Sequence, residues 1–336
     1  MYDAYMEMIM AESRLNIISV DSQNSSEQFQ GSSRAARLRE MQAKFERLWL
    51  IEPERFNPLR NCMQRERLER TWQLLVKHVA IAGKQVADIG CGAGIFSRRL
   101  RDAGAQVEAV DIAENALKHF KEKDAHHIHL KQGAMPATTL PDHAYDLIVC
   151  TELIAELPPD DYRLFFAELS RLIKADGYLI CSSDIDIDSV GGVERLVELA
   201  QTEFDLVEAV ASYHALYLRI KRFFDAPSVF IQGWQNPDFR RKELTSRRGL
   251  NRLWFWLNTI PLFIWLWYIV EPCTRPIRKF LRNNSKFLLR LEKICRFLSD
   301  QDGISHYLFI AKRRPLKVFD SKDIPIEKPR RKEVWD

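Results

Sequence analysis

The sequence predicts a Rossmann-like doubly wound α/β fold, with a mostly parallel sheet and an aromatic, basic helical insertion before the last strand. Three observations predict it. From Val86 to Ala211 short apolar runs alternate with helical patterns, and that alternation implies a parallel sheet covered on both faces. The first run ends in a glycine-rich turn, VADIGCGAGIF, directly before a helical segment. The alternation stops after Ser212 and resumes only at 306–312 (HYLFIAK), which again reads as a strand.

Taken in order, residues 1–34 are expected to be disordered, with 21–34 (DSQNSSEQFQGSSR) polar. Residues 35–80 are rich in Arg, Glu, Leu and Gln and predict one or two helices, interrupted at Pro53 and Pro58. The core occupies 81–212. Its strands are expected at 86–89, 106–110, 127–131, 146–150, 178–182 and 205–211, and its helices at 95–103, 114–123, 160–173 and 192–202. Residues 213–303 form the insertion, 304–313 the final strand of the core, and 314–336 a charged tail expected to be mobile.

Composition excludes some classes. With 336 residues, 46% hydrophobic and 29% charged, the chain can bury a sizeable core and is neither disordered nor membrane-buried throughout. Its six cysteines include no C-x-x-C pair, which argues against a zinc ribbon or a disulfide framework and for reduced thiols. No basic stretch followed by an apolar run opens the chain, so a cytoplasmic location is expected. The net charge of +4 is uneven: from Arg240 to Arg296 fourteen Lys and Arg face three Glu, which leaves the rest of the chain at −7. That pattern predicts one localised basic patch and no general nucleic-acid surface.

The glycine turn carries the first chemical signal. Asp88, Gly90, Gly92 and Gly94 follow the first strand, where glycines let the backbone turn sharply and approach a ligand closely. A dinucleotide site wants G-x-G-x-x-G; here Ile95 stands where the third glycine belongs, which favours a ligand without a diphosphate. Asp111 ends the next strand (VEAVD), where a carboxylate can accept hydrogen bonds from both hydroxyls of a ribose.

On these residues, together with YDLIVCTE at the fourth strand and LIKADGYLI with a turn at Asp176 and Gly177, the chain resembles the class I S-adenosylmethionine-dependent methyltransferases over roughly 45–212. Because RFNPLR precedes GKQVADIGCGAGI, it is most similar to the ubiquinone-biosynthesis O-methyltransferases. The resemblance implies S-adenosyl-L-methionine as cofactor. It implies that the glycine loop holds the methionine part and Asp111 the ribose, and that Arg60 pairs with the methionine carboxylate, a contact suited to a planar guanidinium. It also places Ile112, Ala134, Met135 and Thr151 beside the cofactor. Two departures stand out. Gly133-Ala134 lacks the acid that relatives carry there, and Glu152-Leu-Ile-Ala155-Glu156 replaces a Glu-x-x-Glu-His pattern, so no metal is expected.

Methyl transfer to a weak nucleophile needs a base, and Glu152, Glu156, Asp184, Tyr213 and His214 are candidates without a rank among them. His126, His127 and His129 read as a solvated strand edge with His127 and His129 on one face. An Asn/Asp-Pro-Pro-aromatic motif is missing after the fourth strand, which disfavours exocyclic base amines as acceptors. The insertion holds an uncharged run, 253–270, with four tryptophans, a central Pro261 and basic flanks. A single crossing would strand the last strand on the wrong side, so a re-entrant or interfacial segment is expected. Ile277, Phe280, Leu281, Leu288, Leu291, Ile294 and Leu298 then continue as one basic amphipathic helix. The resulting expectation is an enzyme acting on a lipophilic small molecule (a quinone precursor, isoprenoid or lipid) and attached peripherally to an anionic membrane. A cofactor-binding adaptor without catalysis, and an enzyme of soluble metabolites whose insertion is a homodimer lid, are the competing readings.

Overall fold

The computed structural model describes residues 34–185, 192–247, 249–298 and 303–315. The disorder expected at 1–34 and the mobility expected at 314–336 fall almost wholly outside the described residues. Helix α1 (Arg34–Ile51) and α2 (Cys62–His78) flank two short 3-10 turns that begin at Pro53 and Pro58, where proline pre-sets a helical φ.

Seven strands make one sheet: β1 (Gln85–Ile89), β2 (Gln106–Asp111), β3 (Ile128–Gln132), β4 (Tyr145–Thr151), β5 (Ile173–Asp184), β6 (Phe204–Ser212) and β7 (His306–Arg313). Their order is β3-β2-β1-β4-β5-β7-β6. The pairs among β1 to β5 are parallel, and β7 runs antiparallel between β5 and β6. The order reverses between β1 and β4, so a crevice opens at the carboxyl ends of those two strands. The central strands are buried on both faces and are therefore apolar over most of their middle. Ala87 and Ile148 pack with Phe165, Phe166 and Leu169 of α5 (Tyr162–Leu172) on one face, while Val86, Leu147 and Val149 pack with Phe96 and Leu100 of α3 (Ile95–Asp102) on the other.

Three local expectations are corrected. Strand β5 runs through the turn expected at Asp176 and Gly177, but its pairing with β4 jumps from Tyr145–Ile173 to Leu147–Tyr178, so 174–177 bulges. A Cβ on Gly177 would lie 2.5 Å from Cγ1 of Ile173, which is why glycine occupies the bulge. The third strand starts at Ile128, because His127 has φ of 58° and cannot join the ladder; His127 and His129 therefore do not share a strand face. The basic amphipathic helix is two helices, the end of α10 (Pro261–Asn283) and α11 (Ser285–Leu298), separated at Asn284.

In the insertion, α7 (Ala215–Gln235) is followed by α8 (Pro237–Ser246) and α9 (Gly249–Asn258) before α10 and α11. Leu281, Leu288 and Leu291 bury against Tyr217 and Cys62, whereas Ile277, Phe280, Ile294 and Leu298 stay exposed. A bidentate ion pair ties the insertion to α2: Arg70 donates to both carboxylate oxygens of Glu292, at 2.7 and 2.5 Å, and Glu292 is nearly fully buried. Removing one partner leaves the other charge buried without its mate, so Arg70→Ala is expected to lower stability by about 3 to 5 kcal/mol. Chemical denaturation checks this; a loss under about 1 kcal/mol would mean that the insertion is not held at this point.

Candidate active site

Beyond Ile89 the chain turns through Gly90, Gly92 and Gly94, with φ of 78°, 51° and 69°, before α3 begins. These left-handed values are those glycine adopts without penalty. The glycines have different neighbours. A Cβ on Gly90 would meet only Leu153, at 3.5 Å, whereas one on Gly94 would lie 2.1 Å from Cζ of Phe120 on α4 (Glu114–Asp124). Gly94 does not line the cavity. Gly94 lets α3 close onto Phe120.

Asp111, at the end of β2, accepts hydrogen bonds from the backbone N–H of Gly92 through Oδ2 and of Ala113 through Oδ1, both at 2.9 Å. The same carboxylate thus anchors the glycine loop and keeps a lone pair on each oxygen for a ribose hydroxyl. Burial pushes Asp111 up to about 6 against the pull of those two N–H donors. Burial likewise lifts Asp88 to about 6, with the hydroxyl of Ser97 opposing and the charge of Asp111 adding to the rise. A glycine-lined turn beside a buried diol acceptor fits the adenosyl and methionine parts of S-adenosylmethionine.

The loop opens into a cavity of 1770 Å³ that continues into the insertion. Of the residues expected beside the cofactor, Asp88, Gly90, Gly92, Asp111, Ile112, Met135 and Thr151 line it and Ala134 does not; its neighbour Gly133 does. Arg60 also lines the cavity, with Nε 3.5 Å from Glu54. Glu152, Glu156 and Asp184 face the cavity, each beside a partner: Glu152 lies 2.8 Å from Arg67, Glu156 3.1 Å from Lys44, and Asp184 3.6 Å from Nε2 of His306. Tyr213 and His214 do not line it. His214 is buried with Nδ1 3.1 Å from Ser305, and burial, with His306 alongside, pushes it down to about 3; it belongs to the packing under the insertion. Among the described residues no three His, Cys, Asp or Glu side chains gather as a metal site requires.

Several features of the site carry no sequence signal. Glu152 sits at φ of 61°, a strained setting for a residue with a Cβ. Its backbone N–H donates to Ser182 O, and its carboxylate accepts from Ser182 Oγ, both at 2.8 Å. Burial lowers Arg67 only to about 10, so its guanidinium stays charged opposite Glu152. On α1, Trp49 stacks on Phe56 and closes over Gly92, and Glu46 accepts from the N–H groups of Glu114 and Asn115 at the start of α4.

Residues 87–181, which span β1 to β5 short of its end, match the family model described as a methyltransferase domain. The chain carries a methyltransferase domain. Its strand order, with β7 antiparallel inside the sheet, is the class I arrangement. Similar curated proteins include the ubiquinone biosynthesis O-methyltransferases of Nitrosospira multiformis (34% identical, 24% of this chain and 36% of that one) and Leptothrix cholodnii (30%, 42% and 61%). The chain spans between about a third and three fifths of the length of these relatives. Among solved structures, an N-methyltransferase from Bradyrhizobium japonicum in complex with S-adenosyl-L-homocysteine superposes with a TM-score of 0.44, at 21% identity over 51% of this chain and 89% of that one. An S-adenosylmethionine-dependent methyltransferase from Mesorhizobium loti gives 0.41, at 13% identity over 73% and 96%. In the methyltransferase domain the matched segment holds the glycine loop, Asp111 and Thr151, while Arg60, Arg67 and the insertion lie outside it.

Proposed function

We propose that this protein transfers a methyl group from S-adenosylmethionine to a lipophilic small molecule at a membrane surface. The observation that carries the reading is the single cavity that joins the glycine loop and Asp111 to walls formed by Phe230, Phe239 and Trp254 of the insertion. When bound, the cofactor supplies an electrophilic methyl group on a sulfonium, which an in-line displacement moves to the acceptor. The chain's own residues act by positioning. Asp111 would hold the ribose, Arg60 would pair with the methionine carboxylate, and the Arg67–Glu152 pair fixes the end of β4 on the same cavity wall. An acceptor hydroxyl would give its proton to a carboxylate on the same wall. Glu152, Glu156 and Asp184 are the carboxylates placed to take it, each beside a basic side chain.

The membrane part of the reading is supported by the outer face of the insertion. Helices α9 and α10 meet at 80°, and no single helix among the described residues is long and apolar enough to cross a membrane. Leu262, Trp265, Leu266 and Ile269 recur at helical spacing on α10 and are exposed, as are Leu250, Leu253 and Trp254 on α9. Strand β7 rejoins the sheet beyond them, so both flanks of the bent pair stay on one side. Each basic group near an anionic surface adds about 1 kcal/mol, and residues 240–296 carry a surplus of eleven.

Cofactor binding tests the site through pH. Ribose hydroxyls donate to an ionised Asp111, so affinity is expected to be flat above pH 7 and to weaken by up to about tenfold for each unit below 6. The sign for folding is opposite. A carboxyl raised from 3.8 to about 6 holds its proton more tightly in the folded state, so its ionisation weakens the unliganded fold as pH rises through that window. Calorimetric titration of S-adenosylmethionine at pH 7.5, 6 and 5 checks this; equal affinity at all three would remove Asp111 as the ribose acceptor.

A further inference from the structure

The part of the cavity within the insertion is amphipathic in an ordered way. On α7, Leu218, Arg222, Ala226, Val229 and Phe230 all line it, a spacing that places them along one helix face with the cation near one end and the aromatic ring at the other. Lys279 and Arg282 of α10 add two more cations to the lining. The other charges nearby are matched: Lys221 pairs with Asp225 at 2.8 Å and Arg247 with Glu243 at 2.6 Å. Arg222 and Lys279 have no carboxylate partner among the described residues.

The order along the cavity follows from packing. Tyr217 Oη and Cys62 Sγ both donate to the backbone oxygen of Leu281, at 3.1 and 3.2 Å, which sets the Lys279 and Arg282 end beside the start of α2 and the nearby Arg60. The apolar end, with Phe230 and Phe239, leads to Trp254, which lines the cavity and is also 59% exposed on the outer apolar face. The Lys279 and Arg282 end therefore lies by the start of α2, and the apolar wall runs toward the surface assigned to the membrane.

From this arrangement we propose that the cationic part of the cavity, at Arg222, Lys279 and Arg282, is a phosphate-recognising subsite, and that the acceptor is a phosphorylated amphiphile whose apolar part enters past Trp254. Two cations without carboxylate partners on one wall, with Arg282 beside them, match the multiple charge of a phosphate better than that of a neutral ring. Arg222 and Lys279 are exposed, so the subsite sets specificity by its attraction for an anionic headgroup, which a neutral amphiphile does not gain. It rests on the proposed transfer to a lipophilic acceptor and names the class of that acceptor.

The test is calorimetric titration of the full chain with decyl phosphate, decyl maltoside and inorganic phosphate, each below its micelle concentration where it has one. Decyl phosphate is expected to bind at least tenfold more tightly than either of the others. In the double variant Arg222→Gln/Lys279→Gln its affinity should fall to that of decyl maltoside, with decyl maltoside itself unchanged. Equal binding of the two amphiphiles, or a preference that survives in the variant, would overturn the subsite. Inorganic phosphate binding as tightly as decyl phosphate would overturn the amphiphile. S-adenosylmethionine titrated into the same samples reads the underlying methyltransferase assignment separately, because neither substituted residue adjoins the glycine loop in sequence.

Discussion

Asp111→Ala is expected to weaken S-adenosylmethionine binding by more than about a hundredfold. The substitution removes two charge-assisted acceptors for the ribose, each worth about 1.5 to 3 kcal/mol, and also frees the Gly92 N–H that the carboxylate holds at 2.9 Å. Gly90→Arg should reach the same outcome by another route, since Gly90 is left-handed at φ of 78° and opens onto the cavity, which the new side chain would fill. Gly94→Ala separates site from scaffold. Its Cβ would collide with Phe120, so it should lower thermal stability first. Calorimetry alongside circular dichroism reads both effects. Folded Asp111→Ala and Gly90→Arg proteins with unchanged dissociation constants would remove the cofactor assignment.

The second large effect is at the membrane. Wild-type protein is expected to float with phosphatidylglycerol vesicles at low salt, and Leu262→Ser/Trp265→Ser/Ile269→Ser is expected to stay at the bottom. These side chains are 69%, 59% and 61% exposed. If each buries in the interface it contributes roughly 1.5 to 3 kcal/mol, so the triple variant should partition more than about a hundredfold less. Added salt should weaken the basic share and spare the aromatic share. Trp267 is left intact because it packs on Phe230 with ring centroids 4.9 Å apart and donates to Asn258, so its loss would unfold the insertion. Cofactor affinity should not change. A wild-type protein that fails to float would sink the membrane reading and favour a soluble lid.

The sheet was legible because its signals are local. Period-two and continuous apolar runs place every strand but β5 to within a residue, and the glycine turn with Asp111 marks the crevice without any tertiary information. Where the reading failed, contacts distant in sequence decided. The 174–177 bulge answers to the β4 register, and the break at Asn284 to the packing of Leu281 and Leu288 on Tyr217. His214 looked like a base near the acceptor but is turned under Ser305. The Arg67–Glu152 pair was illegible for the same reason: an arginine on a helix ahead of the core says nothing of which strand end it will meet. The aromatic run of the insertion was legible, yet only the structure separates Trp265, exposed, from Trp267, packed.

Transfer of label tests the central claim most directly. Protein is incubated with S-adenosylmethionine carrying an isotopic methyl group and with a total lipid extract presented in vesicles, and the organic and aqueous phases are then read by mass spectrometry. The account predicts label in an organic-phase molecule with wild-type protein, none with Gly90→Arg, and a sharp loss with Leu262→Ser/Trp265→Ser/Ile269→Ser although that variant still binds the cofactor. Label confined to water-soluble products, or an unlabelled organic phase with protein that demonstrably binds S-adenosylmethionine, would contradict it.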